Sequence, residues 1–210
     1  MKRIALTIAM TLIMSSIGYA QFTIGPKVGL NLSTIRYNSD TNDFFKYRMG
    51  ANMGVFGKYT INRLFDIQTE IMYSQQGYKL DMSDVALFDY NGTKYYSPDV
   101  KILTHNLNIP LLLKSNMLFL PGLYVEIGPQ VGFFLKDSYS SKDKELEEEL
   151  NDADINFKTA DFQIIGGLGF DIGKKVSVNA RYCHALTSIY EAGFKNRVFQ
   201  FSLAYNLFNF

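Results

Sequence analysis

Four charged residues, Lys27, Glu70, Glu126 and Arg181, stand far apart in the chain yet hold equivalent places in it. Each lies on the polar parity of an alternating segment, about four to six residues from the segment's start at a rise of about 3.4 Å per residue. If those segments run side by side, two acids and two bases converge at similar depth. The chemistry open to such a set is mutual neutralisation. A guanidinium presents a planar fork of donors that carboxylates accept bidentately, and a narrow interior makes isolated charge expensive. The pattern predicts a structural charge network with Arg181 as its hub, closing a lumen.

Other reactive types do not assemble into a catalytic or metal-binding pattern. His105 and His184 are the only histidines, both fall on apolar-parity positions, and neither has Cys or carboxylate at zinc-ligand spacing. His184 with Thr187, Ser188 and Glu191 contains the residue types of a hydrolase acting on lipid, but no nucleophile, base and orienting group are set out in order. The Gly167-Leu168-Gly169 run resembles part of a dinucleotide fingerprint. The third glycine is missing and a strand follows where a helix is required, so these glycines are expected to face crowded neighbours in a sheet. No catalytic residue, cofactor or metal is expected.

Between 137 and 157, Asp137, Asp143, Glu145, Glu147, Glu148, Glu149, Asp152 and Asp154 face only Lys142 and Lys144. A charge run of this kind is ordinarily a solvated loop. A sharper reading is divalent-cation bridging to lipopolysaccharide or contact with a cationic ligand, since hard carboxylate oxygens suit calcium and magnesium, though no EF-hand spacing is present. Leu146 and Leu150 are spaced for one helical turn.

Residues 1–20 carry the parts of a secretory signal: Lys2 and Arg3, an apolar run from Ile4 to Met14, then small residues before Ala20. The expected division is a signal peptide over 1–20 and one β-barrel domain over 21–210. Position 21 is Gln, where a lipoprotein would require Cys. With 21 Lys and Arg against 20 Asp and Glu, there is no basic excess to attract nucleic acid. The sole cysteine, Cys183, has no intrachain disulfide partner, so an exported protein of this kind must be held by packing or by a closed ladder.

The elements that would position the four charges are strands. Eight segments alternate between apolar and polar residues, near 22–36, 47–60, 64–79, 100–114, 122–136, 158–172, 176–188 and 196–207. Period two is the mark of a strand with one greasy face. In the first, Phe22, Ile24, Val28, Leu30 and Leu32 oppose Thr23, Lys27, Asn31 and Ser33. In the last, Phe199, Phe201, Leu203, Tyr205 and Leu207 oppose Gln200, Ser202, Ala204 and Asn206. No segment beyond the leader supplies a helical span, and strands that cross lipid must close on themselves. The predicted fold is all-β: an eight-stranded antiparallel up-and-down transmembrane β-barrel.

Connections at 62–63, 115–121 and 173–175 are compact, whereas 37–46, 80–99, 137–157 and 189–195 are longer or more polar. Outer-membrane barrels show this asymmetry, with tight periplasmic turns and long external loops, which puts both termini in the periplasm. Asn91-Gly92 predicts a hairpin within the second long loop. Pro26, Pro110 and Pro129 each remove a ladder donor, so bulges or short breaks are expected near them. Without Trp, tyrosines must supply any interfacial girdle. Phe208 and Phe210 reverse the parity of Phe199 to Leu207, so the last strand is expected to end or bulge near Leu207.

Asn108-Ile109-Pro110-Leu111-Leu112-Leu113-Lys114, Pro121-Gly122-Leu123, Glu126-Ile127-Gly128-Pro129, Gly166-Gly167-Leu168-Gly169 and Arg181-Tyr182 resemble the PorT-like outer-membrane β-barrel family across the chain after its leader. The resemblance implies a small porin-like eight-stranded barrel and no activity. Asn108 stands where members often carry Glu.

Together these features predict a monomeric protein of a Gram-negative outer membrane, surrounded by lipid and lipopolysaccharide, with a structural or surface-interaction role. An interior of eight strands is just filled by side chains, so no open pore is expected. The alternatives are a soluble exported barrel binding a small apolar ligand, as lipocalins do, and an outer-membrane enzyme acting on lipid. An apolar-ligand barrel requires an apolar lumen, whereas Lys27, Gln68, Glu70, Asn106, Glu126, Gln130 and Arg181 fall on the inner parity.

Overall fold

The computed structural model describes residues 21–36, 45–81, 86–88, 94–96, 100–141, 144, 148, 159–188 and 193–210. The expected leader over 1–20, the Asn91-Gly92 turn and most of the acidic loop lie outside them. Alternation without helix caps gives long strands: β1 (Gln21–Arg36), β2 (Phe45–Thr60), β3 (Phe65–Leu80), β4 (Ala86–Phe88), β5 (Lys94–Tyr96), β6 (Val100–Asn116), β7 (Leu123–Ser141), β8 (Ala160–Ile172), β9 (Val176–Ala185), β10 (Lys195–Tyr205) and β11 (Phe208–Asn209). Except for β4 and β5, they form one antiparallel sheet that closes through β1 against β10. The result is an eight-stranded up-and-down barrel. β4 and β5 pair with each other as the expected hairpin within the second long connection.

Closure sorts the two parities. Lys27, Asn31, Gln68, Glu70, Asn108, Gln130, Arg181 and Gln200 are buried inside, while Val28, Leu30, Ile71, Leu111, Phe201 and Leu203 are exposed on the outer wall. Apolar outside and polar inside inverts the pattern of a soluble barrel and matches a wall solvated by lipid. Tyr59 and Tyr205 lie outward near the short-turn end and Tyr47 near the long-loop end.

The prolines interrupt the ladders. β3 and β6 pair at Thr69↔Leu111 and Met72↔Asn108 with the pairs around Pro110 missing, and β6 and β7 lose the pair that Pro129 would make with Leu111. Pro26 pairs with Val55 on β2, but its other side marks the seam. There the register slips by one between Lys27↔Ala204 and Ile24↔Phe208, the expected irregularity around Leu207. Two further bulges carry no proline: one between Tyr47 and Asn52 against β3, and one on β7 beside His105 and Asn106, where Leu135 is the extra residue.

The bulge at Leu135 corrects a boundary. β7 continues to Ser141, so Asp137 to Ser141, expected within the acidic loop, are strand residues paired with Val100 to Thr104. At 19 residues, β7 is longer than the about 9–11 that a tilted span requires. Its excess stands at the long-loop end, where Val100, Ile102 and Tyr139 pack with Tyr78 and Leu80. Conversely, β9 stops at Ala185, short of the expected 188. Lys144 and Glu148 are helical; Leu146 and Leu150 lie outside the described residues.

Candidate functional site: the charged layer of the lumen

Lys27, Glu70, Glu126 and Arg181 meet inside the barrel, drawn from β1, β3, β7 and β9. Arg181 donates from Nη1 to Glu70 Oε2 at 2.9 Å and from Nη2 to Glu70 Oε1 at 2.7 Å. The same guanidinium donates from Nε to Glu126 Oε1 and from Nη2 to Glu126 Oε2 at 3.1 Å. Lys27 Nζ donates to both oxygens of Glu70, at 3.0 and 3.2 Å. Both carboxylates are therefore gripped by one arginine, and all four side chains are at most 1% exposed.

Two partners escaped the sequence reading. Lys114 Nζ lies 3.7 Å from Glu126 Oε2 and 4.1 Å from the centroid of the Tyr124 ring, so it is held by an ion pair and a cation–π contact. Gln68, expected in the lumen but not in the network, donates from Nε2 to Glu70 Oε1 at 2.5 Å. Lys114 was hidden because the continuous Leu111-Leu112-Leu113 run masks the alternation of its strand. The signal lay in the even positions Asn108, Leu112 and Lys114, all buried.

Backbone space makes the layer fit. Gly167 is the cross-strand partner of both Glu126 and Arg181. A Cβ there would lie 2.9 Å from Arg181 Cγ and 3.2 Å from Glu126 Oε1. At Gly169 a Cβ would come within 2.2 Å of the Tyr124 ring, which lies across that strand. The Gly-x-Gly run thus makes room for an arginine and a tyrosine. It lies within β8 and the next element is strand β9, so no helix N-terminus follows it to receive a phosphate.

Toward the long-loop end the filling continues. Leu112, Ile165, Cys183 and Val198 form an apolar layer, a class of lumenal residue the polar parity did not anticipate. Amides occupy the same half: Asn31 donates to Ser74 Oγ at 2.9 Å, Asn52 to Asn31 Oδ1 at 2.7 Å and Gln130 to Gln163 Oε1 at 2.9 Å. Asn196 donates to Gln76 Oε1.

The histidines lie elsewhere. His105 faces outward with its Nδ1 against the Tyr73 hydroxyl, and His184 faces outward beside Tyr182 at a ring separation of 6.1 Å. Thr187 Oγ1 is engaged with Asp161 at 2.8 Å and with the Phe162 N–H at 2.9 Å, and Glu191 lies outside the described residues. Among the described residues, no three His, Cys, Asp or Glu are grouped to hold a metal ion.

Comparison with known proteins agrees with this architecture. Neisserial surface protein A is 10% identical over 88% of this chain and 97% of its own, with a TM-score of 0.53. OprG from Pseudomonas aeruginosa is 12% identical over 91% of this chain and 96% of its own, with a TM-score of 0.48. At such identities the likeness to the first shows a shared fold and no more. No curated protein matches the chain. Residues 16–191 match the family described as outer membrane protein beta-barrel domain. That match covers most of the chain and agrees with its closed ladder, and the chain belongs to the outer membrane protein β-barrel family.

Proposed function

We propose that this chain is a monomeric outer-membrane barrel with a structural or surface-interaction role, its lumen closed by side chains and its long loops displayed outside the cell. One observation carries the reading: Lys27, Lys114 and Arg181 with Glu70 and Glu126 bridge β1, β3, β6, β7 and β9 across the interior. Each of these five charges is engaged with an opposite one, and buried pairing of this kind closes the interior instead of lining a water column. The short-turn end is then periplasmic, with residues 1–20 removed on export and the 81–99 and 142–159 connections outside. The Asn108 to Lys114 and Gly166 to Gly169 stretches support a place in the PorT-like branch. The protein performs no catalysis in this reading, since among the described residues no nucleophile, base and orienting group are arrayed around His105 or His184. The buried polar lumen also disfavours a soluble apolar-ligand carrier.

The test pairs two measurements. Membrane fractionation with heat-modifiable gel mobility is expected to place a folded barrel in the outer membrane. Planar-bilayer recording of the purified chain is expected to show no large steady conductance. A sustained open current from the wild type would refute the closed lumen.

A further inference from the structure

Resting on that outer-membrane reading, we infer that the outward face of β8, β9, β10 and β1 binds one phosphorylated lipid of the outer leaflet, its headgroup on Arg197, Lys195 and His184 and an acyl chain in the groove beneath.

The first observation is a concentration of positive charge on a lipid-facing wall. Val198 and Asn196 are buried, so Arg197 and Lys195 point outward. Cys183 and Ala185 are buried, so His184 does as well. Arg197 is the direct cross-strand partner of His184, and Lys195 that of Arg36. None of the outward positions on these four strands is acidic. Arg197 Nε is buried without a hydrogen-bond partner, and no ion pair among the described residues includes Arg197 or Lys195.

The second observation is independent of charge. On the same strands, Leu30, Leu168, Val178, Ala180, Phe201 and Leu203 line a shallow apolar groove of about 650 Å³. It exists because Ala180 is small between larger neighbours. Between groove and cations stand Tyr182 and Phe199, with ring centroids 4.9 Å apart. Aromatic residues mark the depth where lipid headgroups meet acyl chains, so the cations sit at headgroup level and the groove at chain level. Ala180 and His184 are four residues apart on β9, about 13 Å at the usual strand rise. An occupant must therefore be anionic at one end and aliphatic at the other. A phosphorylated membrane lipid meets both conditions, whereas free phosphate would use only the cations and a second copy of the chain only the groove.

The test uses the full chain purified in neutral detergent, with heat-modifiable mobility confirming that each variant is folded. Native mass spectrometry then counts retained diphosphoryl lipid A against its dephosphorylated form. We expect one retained lipid per barrel and a preference of roughly tenfold or more for the phosphorylated form, since each Lys or Arg near an anionic surface adds severalfold. Arg197→Gln with Lys195→Gln is expected to abolish that preference and Arg197→Lys to keep most of it. Ala180→Phe, which fills the groove, is expected to lower retention of both forms. Equal retention of the two lipids, or unchanged preference in the double variant, would overturn the inference. So would displacement of the lipid by millimolar inorganic phosphate, or a dimer that Ala180→Phe disrupts. Failure of the chain to fractionate with the outer membrane would sink the underlying reading instead.

Discussion

Arg181 and Arg197 lie on neighbouring strands and face opposite sides of one wall. Inside, Arg181 is fully enclosed and supplied with two carboxylates from distant parts of the chain. Outside, Arg197 stands opposite a histidine with no acid on the surrounding outer positions. The difference shows where each charge finds its counterion. A filled lumen excludes solvent, so the sequence must provide both members of every pair. The outer wall borders a medium that carries its own ions, and the sequence can leave that side unmatched. Inner substitutions should therefore act on the fold itself, and outer ones chiefly through the surroundings.

The largest effect expected is that of Glu70→Gln. It leaves Lys27, Lys114 and Arg181 with Glu126 as the single carboxylate of the layer, and breaking a buried pair costs about 3–5 kcal/mol. The urea midpoint in detergent measures it. Arg181→Met should cost less, because Lys27 still neutralises Glu70 and Lys114 still neutralises Glu126. Glu70→Gln with Lys27→Met should recover part of the loss. If Arg181→Met proved the worse substitution, the lysines would not be acting as counterions.

Leu203→Arg comes next, at about 2–4 kcal/mol if the site lies near the bilayer midplane. Gln130→Asn on the inner face should cost less, and equal tolerance at the two positions in refolding titrations into lipid vesicles would argue against the two-sided wall. Gly167→Ala and Gly166→Ala sharpen the contrast within a single dipeptide. The first forces a methyl against the Ala180 carbonyl oxygen as well as Arg181 and Glu126, a crowding that costs about 1–3 kcal/mol. The second meets nothing within 4 Å and should stay within about 0.5 kcal/mol. Smallest of all, Arg197→Gln in neutral detergent should also remain within about 0.5 kcal/mol by thermal unfolding.

The parts that were legible in the sequence share a cause. Period-two alternation is imposed by the two solvents of the wall, so strand number, parity and the inward direction of Lys27, Glu70, Glu126 and Arg181 could be read residue by residue. Lys114 was missed where three consecutive leucines serve both faces at once. The apolar layer of Leu112, Ile165, Cys183 and Val198 was missed because burial inside a barrel demands filling as well as polarity. The extension of β7 was lost at Leu135, since a bulge resets the alternation and makes the next five residues look like loop.

Cys183, the only thiol of the chain, lies two residues beyond Arg181 on the same inner face, enclosed by Leu112, Ile165 and Val198. This position makes it a built-in clock for breathing of the wall. A water-soluble maleimide reaches the sulfur only after the layers around it part, so the labelling rate counts openings. A rate equal to that of complete unfolding would mean that the barrel yields as one cooperative unit. A faster rate would mean that the seam loosens while the remaining ladder holds, and the rise in rate produced by Glu70→Gln would then measure how far the charged layer restrains the strands above it.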